Sequence, residues 1–347
     1  MDLIQQPSSN LIKLRELYFQ KAVLQSKDSF LHFIAMFAPT LVPDWLMGRH
    51  IHVIADRLQK VESGEIKRLM VFLPPRSSKS VICSKLFPAW YVGRHPQHEI
   101  LTVSHSDQLA SDFGRSVRDL VNFDLFNTVF PDVTLRSDVR AAGKWKTEQG
   151  GEYYAAGVGS AITGRGADLL IIDDPHSEQD ALSPTILDSH YEWYTSGPRQ
   201  RMQPGGSIVI VMTRWSDKDL TGNLIKKMGD LKADKWDIIE FPAILDDDDD
   251  KIRKPIWPQY WKLEELDKVK ASLVLSKWNA QWQQNPTYDG SSIIKREWWR
   301  VWEKKEPPNC RFVIQSMILH FQKKSLPTTQ LLQLGEFLIL TREKRHI

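Results

Sequence analysis

Three short apolar segments, each followed by polar or charged side chains, constrain this chain more than any other feature of its sequence. They are residues 68–73, 167–172 and 207–212, and helical patterns lie between them. Their polar followers are Lys79-Ser80, Asp173-Asp174 and Thr213-Arg214. Strands that alternate with helices predict an α/β fold, a mostly parallel sheet flanked by helices on both faces. The polar groups should then meet at the carboxyl edge of the sheet, where such folds bind ligands.

Composition sets wider limits on the class of protein. The 347 residues suffice for one large domain and a smaller second one. The 46 basic and 43 acidic residues give a net charge of +3, which neither requires nor excludes a nucleic-acid partner. Cys83 and Cys310 are the two cysteines, too few for a disulfide framework, so we expect a reducing cytoplasm. No apolar run is long enough for a membrane span, so we expect no membrane association.

The periodicity of apolar residues predicts the remaining elements. Helices are expected over residues 11–37, 49–62, 79–92, 107–121, 185–202 and 218–228, with a further strand over 100–104. The acidic run at 246–250 is predicted to be a solvated connector. Two helices should follow it, at 262–270 and 274–284, with Trp278 and Trp282 as packing residues. His50 and His52 are two apart on a helix, so we expect one to pack and the other to be exposed.

Residues 73–80, Leu-Pro-Pro-Arg-Ser-Ser-Lys-Ser, follow the first strand and open a helix. In a phosphate-binding loop, backbone N–H groups cradle phosphates, a lysine reaches the β and γ oxygens, and the next hydroxyl holds Mg²⁺. Lys79 and Ser80 fit these roles. Leu73 and Ser78 occupy the two usual glycine positions, so an ordinary turn from strand to helix is an alternative by this segment alone.

Two further strand ends support a nucleotide site. Asp173 and Asp174 end a buried strand, where a charge is costly without a partner or a task. Asp173 can join a Mg²⁺ shell and Asp174 can orient an attacking water, whereas the alternative is a cap for the next helix. Thr213 and Arg214 end the third strand, beside the other two groups.

Taken together, four segments resemble the large subunit of the tailed-phage terminase, the DNA-packaging motor. They are residues 68–80, 161–175, 211–222 and 281–286, within a likeness that covers about residues 30–316. The resemblance implies a RecA-like P-loop ATPase that uses ATP and Mg²⁺ to move double-stranded DNA into a prohead. It also implies a portal protein, a terminase small subunit and a homo-oligomeric ring as partners, in the bacterial host cytoplasm.

The resemblance also implies a role for each matching residue. Lys79 and Ser80 are the Walker A pair, in a nucleotide-binding loop that includes Pro75, Arg76, Ser77 and Ser78. Ser80 and Asp173 are the expected metal ligands, Asp174 the catalytic carboxylate, and Thr213 the residue that senses the γ-phosphate. Arg76 and Arg165 are both candidates for neutralising charge in the transition state, and a neighbouring subunit can also deliver such an arginine. The Cβ of Ser78 should crowd the phosphates or the turn.

The expected domains are a helical lead-in at 1–64, the ATPase at 65–245, a lid or linker subdomain at 246–309, and the start of an RNase H-like nuclease at 310–347. No aspartate occurs after residue 316, so this last segment cannot supply a two-metal site. If the gene is read two bases later from the codon of Met317, the codons permit the sequence Asp-Thr-Ala-Phe. This sequence resembles the start of the family's nuclease. We therefore expect a frameshift near residues 316–317, a poorly packed tail and no nuclease activity, with a diverged genuine C-terminus as the alternative.

Two rival functions stay open at this point. One is a helicase-like ATPase stimulated by nucleic acid, although that fold needs a second RecA-like domain for which little length remains. The other is an inactive prophage remnant that binds DNA or a partner without turnover. Hydrolysis of ATP stimulated by double-stranded DNA distinguishes these functions, because the remnant predicts none.

Overall fold

Helices and apolar strands alternate along the chain in this computed structural model, which describes residues 9–160, 162, 164–247 and 252–286. The helices are α1 Ser9–Asp28, α2 Phe30–Leu41, α3 Arg49–Glu62, α4 Phe87–Arg94, α5 Asp107–Val121, α6 Asp124–Val129, α7 Pro184–Ser196, α8 Leu220–Lys227, α9 Leu263–Ser272 and α10 Leu275–Lys277. The strands are β1 Arg68–Phe72, β2 Glu99–Ser104, β3 Leu135–Ala141, β4 Lys144–Thr147, β5 Glu152–Gly157, β6 Ala167–Asp173, β7 Met202–Met212, β8 Asp237–Glu240, β9 Ile244–Asp247 and β10 Ile252–Pro255.

Within the described residues, eight strands form one sheet in the order β3-β4-β5-β2-β6-β7-β1-β8. Five neighbouring pairs in this order are parallel: β5–β2, β2–β6, β6–β7, β7–β1 and β1–β8. The pairs β3–β4 and β4–β5 are antiparallel. Phe72 is level with Met212, and Asp173 with Val211. This register brings the carboxyl ends of β1, β6 and β7 to one edge, as the sequence predicts.

Apolar side chains on the two faces of the sheet form two separate cores. Leu69 and Val71 of β1 pack in the core beneath α2–α5, whereas Met70 and Phe72 pack in the core beside α7 and α8. Because successive strand residues point to opposite faces, a continuously apolar strand is buried on both sides. The predicted α/β class, a mostly parallel sheet flanked by helices, is therefore confirmed.

Several predicted elements differ from the structure. The helix predicted over 185–202 ends at Ser196, because Gly197 and Pro198 interrupt it, and Met202 already belongs to β7. A π-helical turn, Val81–Leu86, precedes α4, and another, Trp278–Trp282, follows α10. The sequence reading missed β3–β5. β3 is largely exposed and so carries little apolar pattern, and β4 has only four residues.

The predicted connector after the sheet is partly structured. The acidic run begins inside β9, which pairs with β10 in antiparallel fashion, and residues 248–250 lie outside the described part. A small third core follows, made of Ala243, Ile244, Leu266, Trp278 and Trp282. Here we call residues 243–247 and 252–286 the lid. The predicted segment 310–347 and its altered reading frame lie outside the described residues, and the domain boundaries stay predictions.

Candidate functional site

The loop between β1 and the following helix has the shape of an anion-binding turn. Leu73 N donates to Met212 O, and the first helical bond runs from Ile82 N to Ser78 O. Arg76 and Ser78 have φ values of 59° and 62°, in the left-handed region that favours glycine. The Ser77 hydroxyl donates to Pro74 O at 2.8 Å and holds the turn closed. The loop thus adopts the backbone that a glycine-rich sequence would adopt without strain.

Lys79 is the first helical residue after this loop, and its ammonium lies against Asp174. Lys79 Nζ is 3.0 Å from Asp174 Oδ2. Burial lowers the pKa of Lys79, but Asp174 and Asp173 outweigh burial and raise it above its usual value. The lysine is therefore charged and available for an anion that can displace the carboxylate.

Asp173 is buried at the end of β6, where two serine hydroxyls donate to its carboxylate. Ser80 Oγ donates to Oδ1 at 3.2 Å, and Ser84 Oγ donates to Oδ2. Burial and the neighbouring Asp174 raise the pKa of Asp173 to about 7, against the lowering effects of Lys79 and the hydroxyls. The sequence reading missed Ser84, although its position four residues after Ser80 on one helical face could have indicated it.

The oxygens of Ser80 and Asp173 fit a Mg²⁺ ion. They are hard donors close enough to share one cation, and a divalent ion would offset the burial that raises the pKa of Asp173. No cluster of three or more His, Cys, Asp or Glu side chains suited to a metal occurs among the described residues. A Mg²⁺ ion held by these two residues would need oxygens from a bound phosphate or from water to complete its shell.

Thr213 connects Asp174 to the loop. Its backbone N–H donates to Asp174 Oδ1 at 2.9 Å, and its hydroxyl donates to Leu73 O at 3.1 Å. Asp174 has a φ of 42°, a left-handed conformation that aspartate tolerates better than most residues. Three strand ends thus meet in one hydrogen-bonded group.

A buried ion pair fixes the turn after Thr213. Arg214 Nε is 3.0 Å from Asp219 Oδ2, and the two side chains are 8% and 0% exposed. Burial raises the pKa of Asp219, but Arg214 and backbone N–H donors hold it below its usual value. Asp219 also accepts from Gly222 N and so caps α8. The sequence reading placed Arg214 at this edge without identifying Asp219.

Aromatic side chains line the cleft that opens from the loop. This cleft of about 290 Å³ is bordered by Arg76–Val81, Asp44, Trp45, Trp257 and Tyr260, among others. Trp257 and Tyr260 stack with ring centroids 4.7 Å apart. Flat apolar rings beside a phosphate loop suit the base of a nucleotide. The sequence reading missed these residues, because they come from segments far apart in the chain.

The two candidate arginines have different locations. Arg76 is exposed and borders the cleft, next to Pro75. Arg165 precedes the amino end of β6, where it pairs with Glu152 and its guanidinium lies 3.8 Å from the centroid of the Tyr154 ring. The seven residues of β6 span about 20 Å. The structure therefore does not bring Arg165 to the loop of its own chain.

Comparison with known proteins gives structural likenesses only. No protein-family model and no curated protein matches the chain. The large terminase of a thermophilic bacteriophage is similar, with TM-score 0.43 and 11% identity, over 69% of this chain and 54% of that one. The HK97 bacteriophage large terminase is similar with TM-score 0.44 and 15% identity, over 70% of this chain and 50% of that one. The large terminase ATPase domain of Thermus phage P74-26 is similar with TM-score 0.41 and 15% identity, over 65% of this chain and 93% of that one.

The chain therefore spans about half the length of the two whole terminases. The first of these, from the thermophilic bacteriophage, has also been solved with ATP-gamma-S and with ADP. These proteins belong to the family that the four sequence segments resemble. No helix among the described residues has the length and apolar character needed to cross a bilayer.

Proposed function

We propose that this chain is a terminase-like ATPase that binds ATP with Mg²⁺ and hydrolyses it to drive the packaging of double-stranded DNA. The observation that carries the proposal is the meeting of Lys79, Asp173, Asp174 and Thr213 at the carboxyl edge of the sheet. A loop, a lysine, a hydroxyl and two carboxylates are the parts that phosphoryl transfer from a nucleotide requires.

In this proposal the loop N–H groups and Lys79 bind the β and γ phosphates, with the base against the rings of Trp257 and Tyr260. Bound Mg²⁺, held by Ser80 and Asp173, would neutralise charge on the phosphate oxygens. Lys79 exchanges Asp174 for a phosphate oxygen when ATP binds. Asp174 is then free to accept a hydrogen bond from the attacking water, and Thr213 N holds its other oxygen.

The partners follow from the same proposal. Double-stranded DNA is the translocated substrate, a portal protein and a terminase small subunit are the assembly partners, and copies of the chain form a ring in the host cytoplasm. Arg165, at the opposite edge of the sheet, is then a candidate for contact with a neighbouring copy rather than with its own loop. Arg76 is the candidate within the same chain.

We also propose that residues 310–347 supply no nuclease site. Residues 310–347 contain Glu336 and Glu343 but no aspartate, so they cannot supply the clustered carboxylates of a two-metal site. Incubation of linear DNA with the chain and Mg²⁺ or Mn²⁺ should leave the DNA intact.

The deciding experiment is phosphate release by the purified chain, with and without double-stranded DNA. DNA-stimulated release that the Lys79→Ala variant lacks supports the motor. Stimulation by single-stranded nucleic acid instead would favour a helicase-like ATPase. Binding of DNA without turnover would favour an inactive remnant.

A further inference from the structure

Gln284 is an unusual residue at the end of the lid. It is 2% exposed, although glutamine is mostly a surface residue. Its φ is 56°, in the left-handed region, which costs a residue with a Cβ free energy that glycine avoids. Such a conformation persists only where surrounding contacts impose it, and it often marks a functional position.

The side chain of Gln284 bridges the lid and the turn after β7. Arg214 N donates to Gln284 Oε1 at 3.2 Å, although the two residues are 70 apart in sequence. Gln284 Nε2 donates to Gln281 O within the lid. Since the amide nitrogen faces a carbonyl, the amide oxygen must face the Arg214 N–H, and only this orientation satisfies both partners.

The preceding residue, Gln283, makes contacts of the same type inside the lid alone. Its amide oxygen accepts from Ile244 N and its amide nitrogen donates to Ile244 O, both at 3.1 Å. Two adjacent glutamines therefore have separate tasks. Gln283 closes the lid on itself, whereas Gln284 connects the lid to the residue that follows Thr213.

Thr213 is in turn bonded to Asp174 and to Leu73, at the start of the phosphate loop. A change in the pairing of Asp174 would shift the Thr213 peptide, and the next N–H is held by Gln284. The lid also reaches the same cleft through Trp257 and Tyr260. It therefore contacts the candidate nucleotide site at both the base side and the phosphate side.

We infer that Gln284 is a positioning residue that couples the phosphate site to the lid through its hydrogen bond to Arg214. The inference rests on the proposed function, which supplies the nucleotide. In this coupling, Gln284 holds the Thr213–Arg214 turn in place for hydrolysis and passes the movement of that turn to the lid.

Steady-state kinetics of Gln284→Met and Gln283→Met provide a matched pair. Methionine keeps the length of the side chain and removes both polar atoms. Gln284→Met loses the bond from Arg214 N and the bond to Gln281 O. We expect kcat to fall about five- to tenfold with KM for ATP changed less than about twofold, the effect of losing the one bond that reaches Arg214. Gln283→Met also loses two bonds, but both lie within the lid, so it should keep kcat within about twofold. Equal losses of kcat in both variants, or a loss confined to KM, would overturn the inference.

Hydrogen exchange tests the coupling without turnover. In the parent chain, ATP-gamma-S with Mg²⁺ should slow exchange in residues 74–80 and also change it at Arg214 and in 281–286. In Gln284→Met the response of 74–80 should remain and that of 281–286 should vanish. An unaltered response of 281–286 in that variant contradicts the coupling while the proposed function stands. A parent loop that shows no response to nucleotide contradicts the proposed function itself.

Discussion

The ammonium of Lys79 lies 3.0 Å from the carboxylate of Asp174, so the two residues with the most specific roles in the proposed reaction pair with each other. Asp174 is also fixed by Thr213 N through its second oxygen. Nucleotide binding must therefore break the ion pair of Asp174 with Lys79 and leave its hydrogen bond from Thr213 N. This exchange gives the site its main testable consequences.

Removal of the Lys79 side chain should abolish hydrolysis. Lys79→Ala takes away the cation that would stabilise the transferred phosphoryl group, so the rate of phosphate release should fall by at least about a hundredfold. Lys85→Ala, which removes a charge later in the same helical segment and outside the cleft, is the matched control and should keep the parent rate. Unchanged turnover in Lys79→Ala would remove the phosphate-loop assignment.

Substitution of the two neighbouring carboxylates should have different effects, one on nucleotide binding and the other on hydrolysis. Asp173→Ala should weaken nucleotide binding in Mg²⁺ but not in EDTA, because it removes a metal ligand. Asp174→Asn should bind Mg²⁺-nucleotide within about threefold of the parent and lose most hydrolysis, because an amide orients the attacking water poorly. Titration of a fluorescent ATP analogue and phosphate release measure the two effects. The opposite pattern would reverse the assigned roles.

Glycine at position 78 should improve nucleotide binding or turnover by the loop. Ser78 has a φ of 62°, and relief of a left-handed residue with a Cβ is worth about 1 kcal/mol. The smaller residue also lets the backbone approach a phosphate, so we expect Ser78→Gly to raise nucleotide affinity or turnover by about two- to fivefold.

Ser77→Gly is the control for this change. It removes the bond from the Ser77 hydroxyl to Pro74 O and relieves no left-handed residue, so it should lower stability and affinity. Thermal unfolding and the same nucleotide titration compare the two variants. Binding by Ser78→Gly that is no better than that of the parent would show that serine is tolerated at this position.

The stability of the fold should depend on the protonation of His50. Burial lowers the pKa of His50 from 6.5 to about 4, and the ring lies 5.1 Å from the ring of Trp257. Above about pH 7 the side chain is neutral in both the folded and unfolded chain, so it adds no pH dependence. As the pH falls below about 6.5, the unfolded chain takes up a proton that the folded chain refuses, and stability decreases until about pH 4.

His50→Leu, which cannot titrate, isolates this contribution. Between about pH 7 and pH 5, the parent should lose about 2 kcal/mol more unfolding free energy than the variant. Urea denaturation at matched pH values measures the difference. His52→Leu is the control for removing a histidine from the same helix, because His52 is exposed whereas His50 is buried. Parallel curves for the parent and His50→Leu would contradict the buried neutral state.

Much of the site's centre could be predicted from local sequence. Apolar strands that end in Lys79-Ser80, Asp173-Asp174 and Thr213-Arg214 predict both a parallel sheet and the edge at which these groups meet. The reason is that parallel strands with helical connections place their carboxyl ends together whatever the details of packing. The spacing of His50 and His52 likewise predicted one buried and one exposed ring, and the structure confirms this.

Contacts between distant segments had no such local signal. The rings of Trp45, Trp257 and Tyr260 share one cleft only because the lid folds back toward the lead-in helices. Arg165 lies close in sequence to Asp173, yet the length of β6 separates the two across the sheet. The bond from Arg214 to Gln284 joins residues 70 apart. A sequence pattern reports which faces are buried, whereas the partner of each buried polar group depends on how complete elements pack, and only the tertiary structure decides that.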